Sequence, residues 1–165
     1  MMQGDAAAIE RTIFLQDDDA TRRIGEALGM ACRPGDTVLL VGALGAGKTA
    51  LARAAILARL ASVGKVEDAP SPTFTLVQTY EADIPIWHAD LYRLSSSDEA
   101  YELGLDDAFD TALTFVEWPD RLGTLTPARR LEVRLSFPDD HEGRVASYCA
   151  FGSGWDHALT ALEAA

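Results

Sequence analysis

One segment of this sequence has the residue types and the spacing of a phosphate-binding loop. Residues 42–49 read Gly-Ala-Leu-Gly-Ala-Gly-Lys-Thr, which fits the pattern of a glycine, four variable positions, a glycine, a lysine and a threonine. Glycines let the backbone turn tightly, so that successive N–H groups point inward at anionic oxygens. The start of a following helix adds the positive end of its dipole. The segment therefore predicts the binding of a nucleoside triphosphate.

The last residues of this glycine-rich loop carry the predicted contacts to the ligand. Lys48 is long enough to reach the β- and γ-phosphates, and Thr49 can place its hydroxyl on Mg²⁺. The expected ligands of the loop are thus a nucleoside triphosphate, taken to be ATP, and Mg²⁺. The expected contacts of the loop are Leu44, Gly45, Ala46, Gly47, Lys48 and Thr49.

Two acids come directly after apolar runs, where strands of a parallel sheet would end. Asp90 follows Ile84-Pro85-Ile86-Trp87-His88-Ala89, and Glu117 follows Leu113-Thr114-Phe115-Val116. An enzyme with a phosphate-binding loop needs such a carboxylate to hold Mg²⁺ or to orient water. Asp90 and Glu117 are the predicted catalytic acids, and the pattern alone leaves open which of them approaches the metal.

Four further residues have both a structural and a functional interpretation. Ser71 and Thr73 flank Pro72 in a segment that is either a plain turn or a switch that senses the γ-phosphate through a hydroxyl. Trp118, next to Glu117, is a core, rim or contact residue. His88 is interpreted as a packed strand residue, because the sequence shows no partner for it.

The glycine-rich loop requires a buried strand before it and a helix after it, and the sequence supplies both. Residues 37–41 are a continuous apolar run, and residues 49–61 are rich in alanine and leucine. We also predict a strand at 12–15, a helix at 20–32, strands at 74–80, 84–89 and 113–116, a short helix from 97, and a terminal helix at 155–162. Residues 131–137 and 145–151 read as two antiparallel edge strands joined by a polar turn at 139–143.

This order predicts one α/β domain over residues 1–165, with a mixed sheet of the P-loop NTPase-like type, flanking helices and a C-terminal antiparallel extension. In such a fold the start of the first helix and the C-terminal Arg144 are expected on the nucleobase side. Asp19 and Arg144 therefore complete the predicted nucleotide contacts, and we expect a modest preference for adenine.

Composition limits the possible partners. The net charge is −12, with 26 acidic and 14 basic residues, which opposes direct binding of DNA or RNA. Residues 1–10 have no cationic segment before an apolar run, so no signal peptide is expected. No apolar stretch approaches a membrane span, and Cys32 and Cys149 match no metal-ligand spacing. We expect a cytoplasmic protein that does not bind membranes.

Taken together, several motifs resemble the TsaE family of small bacterial ATPases. The resemblance spans nearly the whole chain and rests on the order and spacing of four motifs: the glycine-rich loop, Ser71-Pro72-Thr73-Phe74-Thr75-Leu76-Val77, His88-Ala89-Asp90-Leu91-Tyr92-Arg93-Leu94, and Glu117-Trp118-Pro119.

The resemblance implies a function as well as a fold. It implies that Lys48 and Thr49 bind phosphate and Mg²⁺, that Glu117 approaches the metal and that Asp90 is needed for activity. It also implies a switch at Ser71–Thr73 and a site tryptophan at Trp118. The family hydrolyses ATP, together with TsaB and TsaD, in the formation of threonylcarbamoyladenosine in tRNA, so contact with tRNA is expected only through the assembly.

The sequence departs from the family pattern at two positions. Ala43 replaces the usual acid after the first glycine of the loop, and Ala89 replaces a usual phenylalanine.

Two other functions are also open. A small-molecule kinase would need a substrate-binding lid that carries several arginines, and Arg121, Arg129 and Arg130 give little sign of such a lid. A non-catalytic nucleotide switch would bind ATP with negligible turnover.

Overall fold

A seven-stranded mixed sheet forms the centre of the fold in the computed structural model, which describes residues 9–139 and 142–165. The strands are β1 (Ile9–Leu15), β2 (Thr37–Gly42), β3 (Val77–Glu81), β4 (Pro85–Asp90), β5 (Leu113–Glu117), β6 (Arg130–Ser136) and β7 (Arg144–Phe151). Their order across the sheet is β1-β7-β6-β2-β5-β4-β3. The expectation of no signal peptide falls largely on residues 1–8, and part of the predicted turn falls on 140–141. Both lie outside the described residues.

Four strands in the middle of the sheet run parallel to one another. β2 pairs in parallel with both β5 and β6, and β4 pairs in parallel with β5. The pairs β3–β4, β6–β7 and β1–β7 are antiparallel. The predicted mixed sheet with an antiparallel extension is confirmed. Because parallel strands end at the same edge, Gly42, Asp90 and Glu117 come to one side of the molecule.

Helices cover both faces of the sheet. They are α1 (Asp18–Ala31), α2 (Lys48–Ser62), α3 (Ser97–Glu102), α4 (Leu105–Thr111) and α5 (Asp156–Ala164), with a 3₁₀ helix at Pro119–Leu125. The side chain of Asp17 accepts a hydrogen bond from the Ala20 amide at 2.9 Å and so fixes the start of α1. None of the helices in the described ranges is long and apolar enough to cross a membrane.

Alternation along the strands divides the core into two layers. In β2, Val38 and Leu40 belong to the larger layer under α1, α2 and α5, whereas Leu39 belongs to the smaller layer with α3 and α4. β5 repeats this pattern with Phe115 and Val116. Strands buried on both faces explain why β2 and β5 read as continuous apolar runs.

The structure corrects two predictions about strands. β6 and β7 are not edge strands: β6 lies between β2 and β7, and β7 lies between β6 and β1, so the edges are β1 and β3. β3 begins at Val77 rather than at residue 74. Leu76 has a positive φ of 70° and its amide donates to the Pro72 carbonyl, which keeps residues 74–76 in a turn.

Candidate functional site

The glycine-rich loop joins β2 to α2 at the edge where the parallel strands end. Gly47 is the N-cap of α2, with φ 110°, and Gly45 has φ 81°, both in the left-handed region that glycine adopts without strain. A Cβ on Gly42 would lie 2.5 Å from the Leu135 carbonyl oxygen on β6. Since Gly47 has no side chain to cap the helix, the first amides of α2 stay available to a ligand.

Lys48 folds back over the loop. Its Nζ donates to the carbonyls of Gly42 at 2.6 Å and Ala43 at 3.0 Å, and lies 4.5 Å from the centre of the Trp118 ring. Burial lowers the pKa of the Lys48 ammonium, and the carboxylates of Glu117 and Asp90 oppose that shift only in part. A cation held in a partly desolvated site attracts an anion more strongly than one in water does.

Thr49 and Glu117 are joined directly. The Thr49 hydroxyl lies 2.8 Å from Oε1 and 2.9 Å from Oε2 of Glu117, whose side chain is buried. The other side of this carboxylate meets His88, whose Nε2 lies 2.7 Å from Oε2. A hydroxyl and a carboxylate therefore stand side by side at the start of α2, and both are hard oxygen groups suited to Mg²⁺.

Asp90 stands beside Glu117 because β4 and β5 pair in that register. Its Oδ1 accepts from the Tyr92 amide at 3.0 Å, and its Oδ2 accepts from the Thr73 hydroxyl at 3.3 Å. Thr73 in turn shares a hydrogen bond of 2.8 Å with the hydroxyl of Ser71. The predicted switch segment is thus tied to the predicted acid.

Trp118 adopts a left-handed backbone conformation, with φ 57° and ψ 54°, which is uncommon for a bulky residue. This turn sends its side chain toward the glycine-rich loop, where the ring contacts Lys48 and tilts against Tyr92 with ring centres 4.8 Å apart. Strain of this kind persists where the surroundings hold it in place and often marks a functional site.

A cavity of about 510 Å³ collects most of the predicted site residues. Those that line it are Leu44, Gly45, Ala46, Gly47, Lys48, Thr49, Thr73, Asp90, Glu117, Trp118 and Arg144. Arg144 donates from Nη2 to the Gly45 carbonyl at 3.2 Å and stacks on Phe137. Ser71 does not line the cavity, but its hydroxyl is hydrogen-bonded to that of Thr73, which does.

Asp19 is the predicted contact that the structure places elsewhere. In the described chain Asp18 and Thr21 line the cavity from the start of α1, whereas the Asp19 carboxylate lies 3.6 Å from Arg22. One residue along a helix rotates the side chain by about 100°, so a prediction that is one position off misses the cavity.

His88 is the residue that the sequence did not assign to the site. It is packed inside strand β4 as predicted, with no exposed surface, but it also contacts Glu117. The available signal is its spacing: two residues before Asp90, it shares that residue's face of the strand.

The fold and the site define a class: an α/β protein with a glycine-rich loop before a helix and two acids at neighbouring strand ends. The family model for threonylcarbamoyl adenosine biosynthesis protein TsaE matches residues 15–145, and the chain belongs to this family.

Relatives and a solved structure agree with this membership. The tRNA threonylcarbamoyladenosine biosynthesis protein TsaE of Rickettsia bellii is 39% identical over 128 residues, covering 77% of this chain and 87% of that protein. The protein of the same description from Synechocystis is 41% identical over 119 residues, covering 68% and 72%. The crystal structure of YdiB from Bacillus subtilis matches with a TM-score of 0.72 at 24% identity, covers 95% of both chains and supports the fold.

Proposed function

We propose that this chain binds ATP with Mg²⁺ and hydrolyses it, in the cytoplasm, for the formation of threonylcarbamoyladenosine in tRNA, acting with TsaB and TsaD. The observation that carries the proposal is the contact of Thr49 with Glu117 at the end of the glycine-rich loop. Two free thiols, Cys32 and Cys149, are compatible with a reducing compartment.

The phosphates of ATP fit the glycine-rich loop on three grounds. The first amides of α2 and the helix dipole favour an anion. The Lys48 ammonium now rests on two carbonyl oxygens and can exchange them for phosphate oxygens. Arg144 supplies a second cation at the rim of the cavity.

The residues at the loop's end also fit Mg²⁺. The Thr49 hydroxyl and the Glu117 carboxylate are oxygen donors, and Mg²⁺ in nucleotide sites takes few protein ligands because phosphates and waters supply the rest. When bound, the metal neutralises charge that develops on the transferred phosphoryl group. The Thr49 hydroxyl donates its proton to Glu117, which leaves the lone pairs of the hydroxyl oxygen available to a metal.

Asp90 is suited to link the site to its switch segment. Thr73 donates to the Asp90 carboxylate and Ser71 bonds to Thr73, so a shift of this segment toward a γ-phosphate would change the hydrogen bonds of the acid. We propose that ATP hydrolysis depends on these hydrogen bonds, and that partner proteins act on the segment at Ser71, which is exposed.

The charge of the chain favours an assembly over direct tRNA binding. A net charge of −12 repels a polyanion, and of the two lysines, Lys48 and Lys65, one lies in the loop. An acidic protein can still dock on a basic surface of a partner.

The test is ATP turnover by the chain alone, with TsaB, with TsaD and with both, together with tRNA filter binding at ~150 mM salt. Slow turnover alone, acceleration by the pair, and tRNA retention only by the full assembly support the proposal. Turnover that stays negligible with both partners favours a non-catalytic nucleotide switch. Submicromolar tRNA binding by the isolated chain would contradict the proposed role of the assembly.

A further inference from the structure

His88 is a buried polar residue whose placement packing alone does not explain. Its side chain has no exposed surface, and Nε2 makes a 2.7 Å hydrogen bond to Oε2 of Glu117. Burying an imidazole in a sheet core costs free energy unless its polar atoms find partners. The partner here is the acid that bonds Thr49.

The other ring nitrogen indicates where the proton lies. Within residues 9–139 and 142–165, Nδ1 of His88 finds no hydrogen-bond partner. A proton on Nε2 lets the ring donate to Glu117, whereas a proton on Nδ1 would set the Nε2 lone pair against a carboxylate oxygen. The contact therefore requires the tautomer with the proton on Nε2, which makes His88 a donor to Glu117.

We propose that His88 is a positioning residue that holds the Glu117 carboxylate, and through it the Thr49 hydroxyl, in the orientation that Mg²⁺ needs. The proposal rests on the proposed function, and it gives a role to His88, which contacts Glu117 from within the core of the sheet. Thr49 and His88 reach the Glu117 carboxylate from α2 and β4, so two elements fix the orientation of one side chain. Residues that orient metal ligands from behind contribute about 10- to 100-fold to metal affinity or activity.

Three substitutions separate positioning from packing. His88→Leu keeps much of the volume and removes the donor. His88→Gln can place an amide N–H near the position of Nε2, and His88→Asn keeps the amide but falls one methylene short. Thr114→Val is the matched control, because Thr114 is also fully buried and its hydroxyl bonds to the Ala108 carbonyl rather than to the site.

The measurement is the affinity for ATP by calorimetric titration, with Mg²⁺ and with a chelator, alongside melting temperatures. Mg²⁺ should raise the ATP affinity of the wild type. In His88→Leu and His88→Asn we expect this increase to be about tenfold smaller, whereas the ATP affinity measured in the chelator should equal that of the wild type. His88→Gln should recover most of that gain, and Thr114→Val should match the wild type. The Mg²⁺ concentration for half-maximal turnover with partners should rise in His88→Leu and His88→Asn, and it should stay closer to the wild-type value in His88→Gln and Thr114→Val.

The outcomes distinguish this proposal from the one it rests on. If the wild type shows no gain in ATP affinity with Mg²⁺, the proposed function fails. If the wild type shows the gain and His88→Leu keeps it, the role of His88 is overturned. Equal losses in folded His88→Gln and His88→Leu would also overturn it, because they would indicate packing rather than a donor.

Discussion

The hydroxyl of Thr49 lies within 2.9 Å of both carboxylate oxygens of Glu117, although the two residues are 68 positions apart in the chain. This contact joins the start of α2 to the end of β5. It depends on the pairing of β2 with β5, since β2 leads into the loop that Thr49 ends.

Lys48 should matter for the ligand more than for the fold. Lys48→Met removes the ammonium that faces the cavity and keeps an apolar chain in its place, so ATP affinity should fall at least about tenfold, or 1.4 kcal/mol. Calorimetric titration measures the affinity. Without nucleotide the melting temperature should stay near that of the wild type, because burial opposes the charge of Lys48. An unchanged affinity would contradict the assignment of the loop.

The pH dependence of stability should reveal the lowered pKa of Lys48. Below that pKa the folded and unfolded chains both carry the charge, and the folded state bears the burial penalty. Between that pKa and the ordinary value of 10.5 the unfolded chain binds more protons, so the free energy of unfolding rises with pH. Denaturant unfolding measures the free energy of unfolding of the wild type and of Lys48→Met. As the pH rises toward 10.5, the wild type should gain stability relative to Lys48→Met. A difference that is constant with pH would contradict the shift.

Substitution of the two acids should separate binding from turnover. Glu117→Gln and Asp90→Asn remove charge without much volume, so ATP binding in the absence of Mg²⁺ should persist while turnover in the assembly falls by at least about tenfold. Glu117→Gln should also raise the Mg²⁺ requirement more than Asp90→Asn does, because Glu117 contacts Thr49 directly. Steady-state kinetics over a range of Mg²⁺ measures both effects. Wild-type rates in both variants would show that these acids are not the catalytic ones.

Trp118 should report on the ligand. Its ring lies 4.5 Å from the Lys48 ammonium and packs on Tyr92, so ATP that draws Lys48 away should change the emission of this indole. The signal is the change in tryptophan fluorescence on titration with ATP. Trp118→Phe should abolish the change, because the remaining tryptophans, Trp87 and Trp155, lie outside the residues that line the cavity. A change that persists in this variant would place the reporter elsewhere.

Asp36 should stabilise the fold at the opposite end of β2. Its buried carboxylate lies 2.8 Å from Arg129 and 2.7 Å from His157, which joins α5 to the sheet. The Asp36 carboxylate is buried whereas Arg129 is partly exposed, so loss of this charge should cost about 2 kcal/mol, and Asp36→Asn should lower the melting temperature by roughly 4–8 °C. The control is Asp120→Asn, whose exposed pair with Arg121 should contribute at most about 1 kcal/mol. Equal small effects would contradict the role of Asp36.

Local patterns in the sequence predict most of the candidate site. The glycine-rich loop is continuous in sequence, and the strand before it and the helix after it are visible as an apolar run and an alanine-rich segment. Asp90 and Glu117 stand out because each follows its own apolar strand. The sequence does not predict α4 and the 3₁₀ helix, since both are short and their few buried residues leave little periodicity.

The sequence by itself determined the loop and the two acids at strand ends, because each lies within one short segment of the chain. It determined the family resemblance through the order and spacing of four such segments. Only the tertiary structure decided that β6 lies inside the sheet, since strand pairing joins residues far apart and an edge strand can read like an inner one. It also decided the contact of His88 with Glu117. Spacing along β4 places His88 on the same face as Asp90, but only the pairing of β4 with β5 brings Glu117 to that face and within reach of His88.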